Sequence, residues 1–143
     1  MPQSPTPAHT AQRHERVRRQ HSDELAQDYV EAIHELREDT GTARVVDLTK
    51  IFGVTHVSVI RALARLEKRG LINRCPDEGI VLTDKGTEWA IASAERHTLV
   101  VHFLRGIGVS EAQANADAEG IEHHLSRESL QAMKKFLNER PGK

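Results

Sequence analysis

Aromatic side chains are scarce in this chain of 143 residues, where Phe, Trp and Tyr together make up 3%. Its core must therefore be aliphatic, and the recurring Ala, Leu, Val and Ile suit helices packed on helices. The single cysteine, Cys75, excludes a disulfide within the chain and is compatible with a reducing interior. No apolar run approaches the ~20 residues of a membrane-spanning helix, and the N-terminus is polar where a signal peptide needs an apolar stretch. A cytoplasmic protein with no membrane partner is expected. What is present, 38% hydrophobic residues, is enough to fill one compact domain or two small ones.

The overall charge of −1 conceals an asymmetry. Between Gly41 and Cys75, seven cationic residues face two acidic ones; between Gly106 and Glu128, five acidic residues face one arginine. A basic half suits a polyanion and an acidic half suits cations.

Residues 1–21 combine Pro, Gln, Ser and Thr with Arg13, Arg16, Arg18 and Arg19 and carry no apolar periodicity, which predicts a flexible tail. Ser22 is read as the cap of a first helix carrying Leu25, Ala26, Tyr29, Val30, Ile33 and Leu36 at helical spacing and ending near Gly41. The stretch VVDLTKIFGVTHVSVIRALARLEKRG then gives a short helix, a break at Gly53 and a second helix with an expected apolar stripe of Val57, Ile60, Leu63, Ala64 and Leu66. Two helices joined by a short Gly-containing turn form a helix-turn-helix. LINRC and GIVLT, flanking PDEG, predict a small hairpin, the wing of a winged helix. Thr83 caps a long central helix to about Leu104, Ser110 opens another through His123, and Ser126 caps a last one to about Leu137. The expected fold is mainly α: a winged helix-turn-helix DNA-binding domain at 22–90, then an α-helical metal-binding and dimerisation domain at 91–143.

A helix that enters the major groove needs an apolar back and a polar front. At the start of the second helix, Thr55, His56, Ser58 and Arg61 can donate to or accept from bases, and Arg61 is the expected base reader because guanidinium pairs bidentately with guanine. Arg65, Lys68 and Arg69 lie further along and suit phosphates, as do Lys50, Arg44 and Arg74 of the wing. A solvated basic face is the competing reading; the ordered helix-turn-helix and wing favour double-stranded DNA.

In the acidic half, Glu119, Glu122 and His123 at i, i+3 and i+4 would share a face of a helix. Adjacent carboxylates on a partly buried face repel unless a proton or a cation neutralises them. Asp28 and Glu31 form a second i, i+3 pair on the first helix, and His97 stands on the central one. Four carboxylates and two imidazoles with no thiolate make a hard site suited to Mn²⁺ and tolerant of Fe²⁺.

DYVEAI, ERHTLVVHFLRGIGVS and DAEGIEHHLS, following a winged helix in this order, resemble the manganese-responsive members of the diphtheria toxin repressor family from about Leu25 to Leu137. The resemblance implies a homodimeric, metal-activated DNA-binding repressor of metal-uptake genes, and the twofold symmetry of such a dimer predicts a palindromic operator. It places the metal ligands at Asp28, Glu31, His97, Glu119, Glu122 and His123, with two ions per subunit. Iron-selective members carry a sulfur ligand where this chain has Glu122 and Asp28. Two departures bear on DNA: the second helix begins THVSVIRAL where relatives tend to have Pro-Ser, and Glu78 at the wing tip replaces a common arginine. Two other classes fit parts of the pattern. One is a winged-helix regulator with an organic effector. The other is a di-metal carboxylate enzyme, for which EAIH supplies a single Glu-x-x-His match and HExxH is missing.

Overall fold

The computed structural model describes residues 6–140. Six helices and one hairpin follow in order: α1 (Pro7–Thr40), α2 (Val45–Phe52), α3 (His56–Lys68), β1 (Ile72–Cys75), β2 (Gly79–Leu82), α4 (Asp84–Gly106), α5 (Glu111–Ile121) and α6 (Arg127–Glu139). None of these helices is long and apolar enough to cross a membrane.

The first helix departs from expectation. Ser22 is not its cap, because α1 continues back to Pro7, capped by Thr6, whose hydroxyl accepts from the His9 backbone N–H at 3.4 Å. Of the expected flexible tail, residues 7–21 are helical and residues 1–5 lie outside the described residues. Extending a helix costs far less than starting one, and this stretch of Ala, Arg, Gln and Glu has no internal Gly or Pro. It buries nothing, and its Val17 is exposed.

The winged helix forms as the punctuation predicts. Gly53 holds φ at +62° in the turn between α2 and α3, a left-handed conformation that glycine adopts without penalty. Thr55 caps α3, its hydroxyl accepting from the Ser58 N–H at 3.1 Å. The buried face of α3 is Val59, Ala62, Leu63 and Leu66, so the expected stripe is rotated: Val57 and Ala64 are exposed. β1 and β2 pair antiparallel from Ile72 opposite Leu82 to Cys75 opposite Gly79. Arg37 of α1 donates to the carbonyl oxygens of Glu78 and Ile80 at 3.4 and 3.3 Å, which ties the wing to the first helix.

Thr83 caps α4 through the Gly86 N–H at 3.1 Å. At Gly86 a Cβ would stand 2.0 Å from the Leu71 carbonyl oxygen, so only glycine lets α4 approach the wing so closely. Two sets of buried apolar residues share α4. The larger set, beneath the winged helix, includes Val30, Ile33, Leu48, Val59, Leu63, Leu71, Ile72 and Ala90; the smaller is Val100, Val101, Ala114 and Ala118. The expected boundary at residue 90 thus falls inside an unbroken helix.

α5 stops at Ile121, two residues short of expectation, and Glu122 to His124 form a turn before Ser126 caps α6. α6 buries no residue fully, and Ile91, Ile107, Ile121 and Phe136 are exposed.

Candidate metal centre and nucleic-acid interface

α1, α4 and the turn after α5 converge on a cluster of carboxylates and imidazoles. His97 Nδ1 on α4 lies 2.7 Å from Glu122 Oε2 and 3.9 Å from Glu119 Oε1. His123 Nε2 lies 3.1 Å from Asp28 Oδ1 on α1 and 3.4 Å from Glu122 Oε1. The side chains of Glu122 and His123 are 2% and 1% exposed, whereas Glu119 is 74% exposed. Glu122 therefore joins two halves of one centre.

The route to this arrangement differs from the helical-face argument. Glu119 and Glu122 do converge, both on His97, but the helix ends at Ile121, between them, and the turn that follows sends His123 to α1 instead. Glu31 belongs to neither group of ligand atoms lying within 4.8 Å of one another among the described residues, which are Glu24, Asp28 and His123 on one side and His97, Glu119 and Glu122 on the other. It feels the centre all the same: burial first, then the charges of Glu35, Glu119 and Asp28, push its carboxyl above the ordinary carboxylate range, partly offset by His97. Asp117 points elsewhere, accepting from Gln113 at 2.7 Å.

The donor set is charged in the way a cation would satisfy. Burial pushes the Glu122 carboxyl up, against the opposing pull of its hydrogen bond to His97. His123 Nδ1 lies 2.7 Å from the side-chain oxygen of Gln27, an acceptor, so Nδ1 carries a proton and donates it there. In the neutral ring this leaves the Nε2 lone pair facing the oxygens of Asp28 and Glu122. A proton on Nε2 relieves that opposition, and the hydrogen bond to Asp28 accordingly raises the His123 pKa. A divalent cation relieves it as well, and a ring held through its other nitrogen is how metal-bound histidines are usually oriented. The residues present fit a hard metal ion.

Two participants went unnoticed in the sequence. Glu24 Oε2 lies 3.1 Å from His124 Nε2, and Glu24 stands one helical turn before Asp28, a spacing that was legible. Gln27 had no such signal, because only the folded chain brings it to His123.

The expected DNA-facing residues Arg44, Lys50, Thr55, His56, Ser58, Arg61, Arg65, Lys68 and Arg74 are all exposed, on α2, α3, their flanks and β1 of the wing. Thr55 is partly committed, since its hydroxyl also donates to Ser58 Oγ at 3.0 Å, which leaves the Ser58 hydroxyl proton free for a partner. Arg69, expected among the phosphate contacts, faces inward: it pairs with Asp23 at 2.8 Å and lies 4.9 Å over the Trp89 ring. It fastens α1 to the start of α4.

Family models match both parts of the chain: the iron-dependent repressor N-terminal DNA-binding domain at residues 23–80, and the iron-dependent repressor metal-binding and dimerisation domain at residues 83–141. The transcriptional regulator MntR of Escherichia coli O157:H7 is 43% identical over 127 residues, covering 89% of this chain and 82% of that one. The HTH-type transcriptional regulator MntR of Bacillus subtilis is 40% identical over 104 residues, 73% of each chain. A solved structure titled as a manganese-dependent transcriptional repressor in complex with manganese superposes with a TM-score of 0.66 at 25% identity, covering 79% of this chain and 52% of that one. The motif likeness is thus one of descent over most of the chain: it belongs to the iron-dependent repressor family, metal-dependent transcriptional repressors that join a DNA-binding domain to a metal-binding and dimerisation domain.

Proposed function

We propose that this repressor responds to Mn²⁺ in the cytoplasm and binds, as a homodimer, a palindromic operator controlling metal uptake. The observation that carries this reading is the pair of contacts His123 to Asp28 and His97 to Glu122, which draws α1 and the C-terminal half onto one carboxylate centre. Its ligands are Asp28, Glu31, His97, Glu119, Glu122 and His123. Six oxygen and nitrogen donors without sulfur favour Mn²⁺ and admit Fe²⁺. Cys75, on the wing, takes no part. Two groups of ligand atoms joined through Glu122 support two ions per subunit.

When bound, divalent metal supplies the positive charge that allows these carboxylates to share one site. Asp28 and Glu31 then anchor α1, and with it the wing held by Arg37, to α4 and α5. In a twofold dimer the two α3 helices must stand ~34 Å apart, or a multiple of it, to enter successive major grooves, so anchoring α1 sets their separation. Arg61 reads a base; Thr55, His56 and Ser58 meet base edges; Arg44, Lys50, Arg65, Lys68 and Arg74 hold phosphates. Metal and DNA affinity are coupled reciprocally, typically by ~1–3 kcal/mol.

The direct test is fluorescence anisotropy on DNA from upstream of its own gene, with Mn²⁺, with Fe²⁺ held reduced, and with chelator. Retarded rotation only with Mn²⁺ supports the reading. Equal DNA binding in chelator would refute metal control, and a response confined to Fe²⁺ would reassign the metal.

A further inference from the structure

Glu24 lies outside the six residues assigned above, yet its carboxylate, that of Asp28 and a ring nitrogen of His123 all fall within 4.8 Å of one another. In an octahedral oxygen-rich site, with ion-to-ligand distances between the ~2.1 Å of Mg²⁺ and the ~2.4 Å of Ca²⁺, neighbouring donors stand about 3 Å apart and opposite donors about 4 to 5 Å apart. The three atoms have the spacing of ligands to a single ion. Glu24 and Asp28 are i and i+4 on α1, a rigid element that presents both carboxylates on one face. The third donor is built in: His123 is buried and held through Nδ1 by Gln27.

We propose that Glu24 is a further ligand-bearing residue of the metal centre, serving the Asp28 and His123 half, and that His124 is its partner when no metal is held there. The inference rests on the Mn²⁺ reading above and extends it. His124 Nε2 lies 3.1 Å from Glu24 Oε2, and Glu24 is 28% exposed while His124 is 45% exposed. The pair is therefore wet enough to exchange this contact for an ion without stranding a buried charge. The other half of the centre already has His97, Glu119 and Glu122 as its three neighbouring donors. Glu24 gives the α1 half an equal number.

The experiment is a calorimetric titration of the chelator-treated full chain with MnCl2, for wild type, E24Q, E24A and H124Q, with each protein's thermal melt recorded in chelator. The expected result is that E24Q and E24A weaken one class of Mn²⁺ binding by about ten-fold or more, while H124Q keeps both classes and all four melts in chelator agree. Wild-type titration by E24Q and E24A overturns the proposal. So does equal weakening in H124Q, which would make the Glu24 and His124 pair a structural fastening between α1 and the turn after α5. A wild-type protein that takes up no Mn²⁺ refutes the parent reading, and the wild-type trace alone distinguishes that failure from the others.

Discussion

His123, in the turn that ends α5, directs Nε2 to within 3.1 Å of Asp28 on α1, while Gln27, the residue before Asp28, holds the other ring nitrogen at 2.7 Å. One imidazole thus touches two consecutive residues of a helix at the other end of the chain. The ring is fixed in orientation, and the atom left facing the carboxylates is the one able to bind a cation.

Replacing Glu122 by Gln separates stability from metal response. The Glu122 carboxyl is buried and its pKa is raised, so its ionised form is disfavoured in the metal-free fold. E122Q should therefore melt at the same or a higher temperature than wild type in chelator at pH 7–8, yet lose Mn²⁺-dependent DNA binding. Differential scanning calorimetry and anisotropy read the two effects. A lower metal-free melting temperature with intact Mn²⁺ activation would contradict both halves.

The pH dependence should change sign with metal. Glu31, facing Glu35, Glu119, Asp28 and His97, and Glu122, facing His97, His123 and Glu31, have raised pKa values; so does His123, facing Asp28, Glu122 and Glu24. Raised folded-state values mean that the native chain holds these protons more tightly than the unfolded one. Their stabilisation is complete below the ordinary values, near 4.3 for Glu and 6.5 for His, and is lost as pH rises through the folded values. The ligands must shed protons to take metal, so the Mn²⁺-induced rise in melting temperature should grow from pH 5 to pH 8. A metal-induced shift that stays flat across that range would argue against these residues as the ligands.

On α3, Arg61→Ala should cost about 1–3 kcal/mol of operator affinity and relax the preference at one base pair. Lys68→Ala should weaken all sequences alike and reduce the slope of log affinity against log salt by about 1. Salt-dependent anisotropy on operator and scrambled duplexes distinguishes them.

Arg69→Ala should behave differently from its neighbours. Its contacts with Asp23 and Trp89 are internal, so the variant should lose about 1 kcal/mol of stability while keeping the wild-type salt slope on DNA. A reduced slope with an unchanged melt would return Arg69 to the phosphate contacts.

Gly86→Ala places a methyl group against the Leu71 carbonyl oxygen and should destabilise by about 1–3 kcal/mol, seen as a melting temperature lowered by several degrees. Ala at exposed Gly120, where a Cβ meets nothing within 4 Å, is the control.

Much of the architecture was legible because its signals are local. Thr83, Ser110 and Ser126 each cap the helix that follows, and Gly53 marks the turn between α2 and α3. The start of α1 was not legible, because its first turns bury nothing and so carry no apolar period to find. The inward turn of Arg69 depends on Trp89 and Asp23, remote in sequence. In the centre, residue types at helical spacing pointed to the six candidates, but the way they meet depends on where α5 stops. That end placed His123 against α1 and brought in Gln27 and Glu24.

α4 runs without interruption from beneath the wing to the second apolar core, with Gly86 seated against Leu71 at one end and His97 among the acids further along. A rod of this kind is 23 residues and so about 35 Å long. Because α1 packs on it in the larger core and is pinned near its start through Arg69, Trp89 and Asp23, the shaft serves as a common chassis: the hairpin at one end and the acids further along are mounted on a single axis.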